Sequence, residues 1–137
     1  MSKLDNEIKE ILTRFKKIAV VGLSPDESRP SYGVSEYMQS QGYEITPVRP
    51  GGDVILGVAS KESLKDLPQP VEIVDVFRKS DAVPQIVDDA IAVGAKALWL
   101  QEGVMHPAAE AKARQAGMLV VSDRCILKEH RRIHFPL

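Results

Sequence analysis

Ile18-Ala19-Val20-Val21-Gly22 is a short apolar run, rich in β-branched residues and closed by a glycine. It shows no polar alternation. It therefore reads as a strand buried on both faces, which is the pattern of a parallel sheet. A polar loop follows at 23–30, Leu-Ser-Pro-Asp-Glu-Ser-Arg-Pro, and then a helical stretch from about Ser31 to Gln41. Gly42 ends that helix by taking the left-handed conformation. Upstream, Leu4, Ile8, Ile11, Leu12 and Phe15 fall at helical spacing, so residues 3–15 read as an amphipathic helix.

The same phrase recurs downstream. Helix, glycine, strand appears again at Gly42 before YEITPV, at Gly94 before AKALWL and at Gly117 before MLVVS. A further apolar strand, VEIVDVF, spans 71–77. Ser80 or Asp81 is the expected N-cap of a helix running to Val93. Pro107 suits the first turn of the next helix, which runs to about Ala116. Ser60 is placed to cap a short helix ending near Leu67, and a last helix covers about 124–132. The turn-rich stretch 47–57 carries a short edge strand near Val54–Leu56. Strands alternating with helices of roughly ten residues mean βαβ units. The expectation is an α/β, doubly wound, Rossmann-like parallel sheet of about five strands. Its order is 3-2-1-4-5, with helices on both faces.

The chain has 137 residues, which suits one domain, 1–137, with residues 1–16 as an N-terminal helix. The net charge is −1, which argues against a sequence-independent nucleic-acid binder. No run approaches the ~18 apolar residues of a membrane span. The first residues lack an apolar signal core, and one cysteine fits a reducing compartment, so a cytoplasmic protein is expected. The small net charge conceals a pattern. Residues 1–17 sum to +2 and residues 124–134 to +3, leaving −6 on the body between them. Where the few arginines of the body sit is therefore informative.

In an open doubly wound sheet, ligands bind beyond the C-terminal strand ends, where the strand order reverses. After the first strand come Gly22, Leu23, Ser24 and then Arg29. After the second come Val48, Arg49 and Pro50; after VEIVDVF comes Arg78; after ALWL come Gln101, Glu102 and Gly103. Arg29, Arg49 and Arg78 are expected on one crevice, an arrangement suited to a ligand with several phosphates. The loop at Gly22 has one glycine and not the G-x-G-x-x-G of a dinucleotide site. Arg49 stands where an acidic ribose-binding residue is usual. It suits the 2′-phosphate of NADP or the 3′-phosphate of coenzyme A, and charge does not separate the two.

Five segments, VVGLSPDESRPSYGV (20–34), GYEITPVRP (42–50), VEIVDVFRKSD (71–81), AKALWLQEGV (95–104) and AGMLVVSDRCI (116–126), carry a resemblance. Together they resemble the small stand-alone CoA-binding domain proteins of bacteria. Those proteins look like the N-terminal Rossmann-like domain of the succinyl-CoA synthetase α subunit. The resemblance covers nearly all of the chain from Lys17 onward. One departure is Arg49, where the family usually has Asn in a V-N-P segment. In the synthetase a nearby lysine contacts the CoA 3′-phosphate, and the resemblance gives that part to Arg49. It also implies that Gly22, Leu23 and Ser24 offer N–H groups and a hydroxyl to the nucleotide. Arg29 and Arg78 would neutralise phosphates, and Val76 and Phe77 would wall the adenine or ribose. Gln101, Glu102 and Gly103 would line the path of the pantetheine arm.

The synthetases use a phosphorylated histidine in a second domain, for which 137 residues leave no room. No catalytic residue is assigned. His106 lies beside the expected site, but its ordinary role is a helix-start position before Pro107. His130 and His134 are four apart with Cys125 nearby, yet the basic helix around them disfavours a metal. Arg124 and a helix start beside Cys125 would favour a thiolate and a mixed disulfide with CoA; the plainer role is a small buried residue. The expected function is a non-catalytic module binding CoA or an acyl-CoA, with no nucleic-acid or membrane partner. Two alternatives stand: an NAD(P)-binding redox protein or sensor, and an interaction subunit of an acyl-CoA enzyme. In the latter the basic last helix and the tail, Ile133, Phe135 and Leu137, would dock on a protein partner; the plainer role of those three is to cover the chain's own core. A homo-oligomer stays open.

Overall fold

The computed structural model describes residues 2–135, so Leu137 lies outside the described residues. Helix α1 is Lys3–Arg14 and strand β1 is Lys17–Val21. Then follow α2 (Pro30–Ser40), β2 (Glu44–Val48), β3 (Val54–Ile55) and β4 (Val58–Ala59). The second half carries β5 (Ile73–Val76), α3 (Val83–Ala92), β6 (Ala97–Leu100), α4 (Pro107–Gln115), β7 (Leu119–Val121) and α5 (Ile126–His134).

Five strands form one sheet in the order β2-β1-β5-β6-β7, and every neighbouring pair is parallel. All four residues of β5 and of β6 are buried, as the unalternated apolar runs require. The β3–β4 hairpin lies outside this sheet, linked to β2 by a parallel bridge between Val48 and Lys61. The five strands run outward from β1 to β2 on one side and through β5, β6 and β7 on the other, the doubly wound pattern expected, with the reversal beside β1. The edge strand expected near 54–56 is thus half of a two-residue hairpin. Its turn residues, Leu56 and Gly57, both have positive φ, as a type I′ turn demands.

Alternate residues of each strand feed two apolar layers. Ala19, Val21, Val74, Val76, Leu98 and Leu100 pack with α3 and α4. Ile18, Val20, Ile73, Ala97 and Trp99 pack with α1, α2 and α5. Ile8, Ile11 and Leu12 of α1 are fully buried. At ~1.5–3 kcal/mol for each such side chain, α1 is part of the core and no mere extension.

Three helix starts differ from expectation. A 3₁₀ turn at Ser80–Ala82 precedes α3, and Ala82, without a side-chain cap, is the N-cap. The Ser80 hydroxyl accepts from Met105 N–H instead. Ser63, not Ser60, opens the 3₁₀ turn at Leu64–Asp66, in a reciprocal capping box with Asp66. Ser60 donates its hydroxyl to the Asp53 carbonyl, closing the hairpin. The last helix begins at Ile126 and runs to His134, because Arg124 and Cys125 still complete the turn after β7.

Candidate functional site

The chain runs outward from β1 to β2, then returns to the other side of β1 at β5. The reversal therefore lies between β1 and β5, and the strand ends there open a crevice of about 560 Å³. Gly22 makes that opening possible. Its φ is +89°, and a Cβ on it would stand 2.7 Å from the Phe77 carbonyl oxygen and 2.9 Å from Arg78 Cδ. Only glycine fits there.

The N-terminal end of α2 forms one wall. Arg29, Pro30, Ser31 and Val34 line the crevice. Ser31 Oγ accepts from Ser24 N–H at 3.0 Å, which ties the loop to the helix. Ser24 Oγ accepts from Asp26 N–H at 3.0 Å, and Gly22 N–H donates to Val48 O at 3.0 Å. Of the three N–H groups assigned to a ligand, two are therefore taken within the chain. Leu23 N–H has no partner among the described residues. The Leu23 side chain itself is fully buried.

Phe77 and Arg78 continue the crevice after β5, with Lys79 beside them. Arg29 has one carboxylate near it, Asp26 at 4.0 Å. Among the described residues, Arg78 and Lys79 form no ion pair. The far wall comes from Gln101, Glu102, Val104 and Cys125. Glu102 is held by Lys128 at 3.0 Å, and this hydrogen bond raises the lysine above its ordinary pKa. The crevice mouth is thus cationic within an acidic body, which favours an anionic ligand.

Under the far wall lies a buried carboxyl. Asp75 is 2% exposed, and Gln101 Nε2 donates to its Oδ1 at 2.5 Å. Burial pushes Asp75 up to about 7, against the opposing hydrogen bond from Gln101. Gln101 Oε1 accepts from Ile126 N–H at 3.4 Å, so the carboxamide links β5 to the start of α5.

Arg49 lies elsewhere on the rim. Val48, Arg49 and Pro50 line a second hollow of about 330 Å³, and Arg78 borders both hollows. Arg49 Nη1 donates to the Leu23 carbonyl at 3.2 Å, and its Nε lies 3.4 Å from Asp53 Oδ2. Arg29 and Arg78 share the crevice, while Arg49 sits across the Leu23 backbone from it. Val76 is fully buried in the α3–α4 layer and lines neither hollow. Gly103 lines neither; its N–H donates to Asp123 Oδ1 at 2.7 Å. The sequence reading missed Pro30, Ser31, Val34, Lys79 and Val104. Ser31 and Val34 carried a signal, since they stand about one turn apart at the start of a helix.

The remaining candidates are placed as follows. His106 caps α4, accepting from Ala109 N–H at 3.2 Å. His130 Nδ1 meets the Tyr37 hydroxyl at 2.8 Å, and its ring stacks on His134 at 4.1 Å. Burial lowers His130 to about 4, helped by His134 and Lys16. Among the described residues no group of three His, Cys, Asp or Glu side chains is placed to hold a metal. Ile133 packs against the α1–α2–α5 layer, and Phe135 is exposed. No described helix is long and apolar enough to cross a membrane.

A family model described as "CoA binding domain" matches residues 16–131. The uncharacterized protein YneT of Bacillus subtilis is 44% identical over 124 residues, covering 90% of this chain and 92% of its own. A hypothetical protein from Pyrococcus horikoshii is 41% identical with a TM-score of 0.88, over 93% of this chain and 90% of its own. An acetyl-coenzyme A synthetase of Candidatus Korarchaeum cryptofilum shares the fold, with a TM-score of 0.74 at 24% identity. It covers 83% of this chain and 27% of its own.

Proposed function

The chain belongs to the CoA binding domain family, and on that premise we propose that it binds CoA across the β1–β5 crevice as a non-catalytic module. The observation that carries this reading is the gathering of Arg29, Arg78 and Lys79 at a glycine-floored crevice in a chain whose body is otherwise acidic. The diphosphate lies near Leu23 N–H and the start of α2, where a helix N-terminus favours anions. Arg29 and Arg78 pair with its oxygens through charge-assisted hydrogen bonds. The adenosine end turns past Arg78 into the second hollow, which places the 3′-phosphate at Arg49. The pantetheine arm runs the other way, along Phe77 and Gln101 toward Val104. Free CoA and an acyl-CoA fill the crevice equally well as far as the diphosphate.

Two substitutions test the placement. Arg78→Ala should weaken CoA and dephospho-CoA alike, by ~10–100-fold for a lost charged hydrogen bond of ~1.5–3 kcal/mol. Arg49→Ala should weaken CoA by a similar factor and dephospho-CoA much less. Equal losses for Arg49→Ala, measured by titration calorimetry, would remove Arg49 from the 3′-phosphate.

A further inference from the structure

We infer that Asp75 is a positioning residue of the crevice: through the Gln101 carboxamide it presents an amide N–H to a carbonyl oxygen on the arm of the bound ligand. This rests on the CoA reading above and names what the crevice recognises beyond the diphosphate.

The Gln101 carboxamide is fixed from two sides. Ile126 N–H can only donate, so the carboxamide oxygen faces it, at 3.4 Å. The nitrogen then faces Asp75, and Nε2 donates to Oδ1 at 2.5 Å. A carboxamide nitrogen carries two hydrogens. The second has no partner among the described residues, and Gln101, 4% exposed, lines the crevice. A buried donor left over at the wall of a hollow is a group that a ligand completes.

Asp75 does not line the crevice itself, so it acts through Gln101. On β5 it pairs in register with Val20 of β1 on one side and Trp99 of β6 on the other, both apolar. Burial raises Asp75 to about 7, and a shift in that direction lowers stability at neutral pH. An apolar residue would fill this place without that loss, so packing alone does not call for a carboxyl. Holding a carboxamide still beneath a ligand does call for one.

The span of the sheet selects the carbonyl. The diphosphate is anchored at the β1 end, and Gln101 follows β6, two strand spacings away, ~10 Å at ~4.8 Å each. The pantetheine arm carries two amides. An extended chain advances ~1.2 Å per bond, so the amide carbonyl nearer the sulfur, about nine bonds from the diphosphate, lies ~11 Å along it. The other amide carbonyl, about five bonds out, falls short at ~6 Å. Gln101 N–H therefore meets the amide nearer the sulfur, which free CoA and a thioester share.

The test is calorimetry of the full chain with CoA and with adenosine 3′,5′-bisphosphate, which lacks the arm. Wild type should bind CoA the more tightly of the two. Gln101→Met and Asp75→Leu should each weaken CoA by ~3–10-fold, for one lost hydrogen bond, and leave the armless nucleotide within ~2-fold. Asp75→Asn keeps an acceptor for Gln101 and should restore CoA affinity to within ~2-fold of wild type. Equal losses for both ligands, or loss of all binding in either variant, make the pair a structural link and overturn the proposal. Wild-type CoA affinity no better than that of the armless nucleotide also overturns it and leaves the nucleotide placement intact. Failure of wild type to bind CoA overturns both.

Discussion

Replacing Asp75 with Asn changes how the stability of this protein depends on pH. Asp75 is buried on β5, and its pKa is raised from 3.8 to about 7 by loss of water. The folded state therefore holds the proton over a range in which the unfolded chain releases it. Below pH 3.8 both states are protonated and the carboxyl adds no penalty. As pH rises from 3.8 to about 7 the folded chain keeps a proton that the unfolded chain has lost, so stability falls, and above 7 the loss is complete. The slope is ~1.4 kcal/mol per pH unit, and a shift of about three units gives a total of ~4 kcal/mol. His130 acts in the opposite sense. Its folded pKa is lowered from 6.5 to about 4, so it contributes stability that is present above 6.5 and lost as pH falls toward 4. In the wild type the two slopes offset each other between pH 4 and 6.5. Asp75→Asn keeps an oxygen for Gln101 to donate to and removes the titration. Urea unfolding from pH 4 to 8 should then show a variant whose stability, relative to wild type, rises with pH up to about 7 and is level above it. It should also expose the His130 slope below pH 6.5. A difference between variant and wild type that stays constant from pH 4 to 8 would refute the buried-carboxyl reasoning.

Two further outcomes follow from the same geometry. Histidine NMR should show one imidazole, that of His130, titrating near pH 4; a midpoint near 6.5 would mean that the Tyr37 contact leaves the ring open to water. Gly22→Ala should destabilise by at least ~1–2 kcal/mol from its positive φ alone, with more from the approach to the Phe77 carbonyl, and should weaken CoA binding as Phe77 and Arg78 move. A urea midpoint unchanged by that substitution would mean that β1 and β5 are further apart than described.

The strands were legible because parallel, doubly covered strands are written as apolar runs, and β1, β5 and β6 are such runs. The reversal point followed from their order, and with it Gly22, Arg29, Phe77 and Arg78. Val76 and Phe77 could not share a wall, since neighbours on a strand face opposite ways. Asp75 was missed, although the same parity marks it: a charge inside VEIVDVF, one pleat from Phe77, falls on the same side of the sheet as the crevice. Arg49 was not legible. Its direction depends on the hairpin at 54–59 and on Asp53, and neither contact has a local sequence signature. Ser80 and Ser63 show the same limit at helix starts, where a 3₁₀ turn or a distant N–H decides which hydroxyl caps.

Titration calorimetry of the wild-type chain with CoA, dephospho-CoA and NADP tests the central claim most directly. CoA should bind with one site per chain, dephospho-CoA should bind more weakly, and NADP should bind least. Binding of NADP with no binding of CoA would contradict the assignment of the crevice.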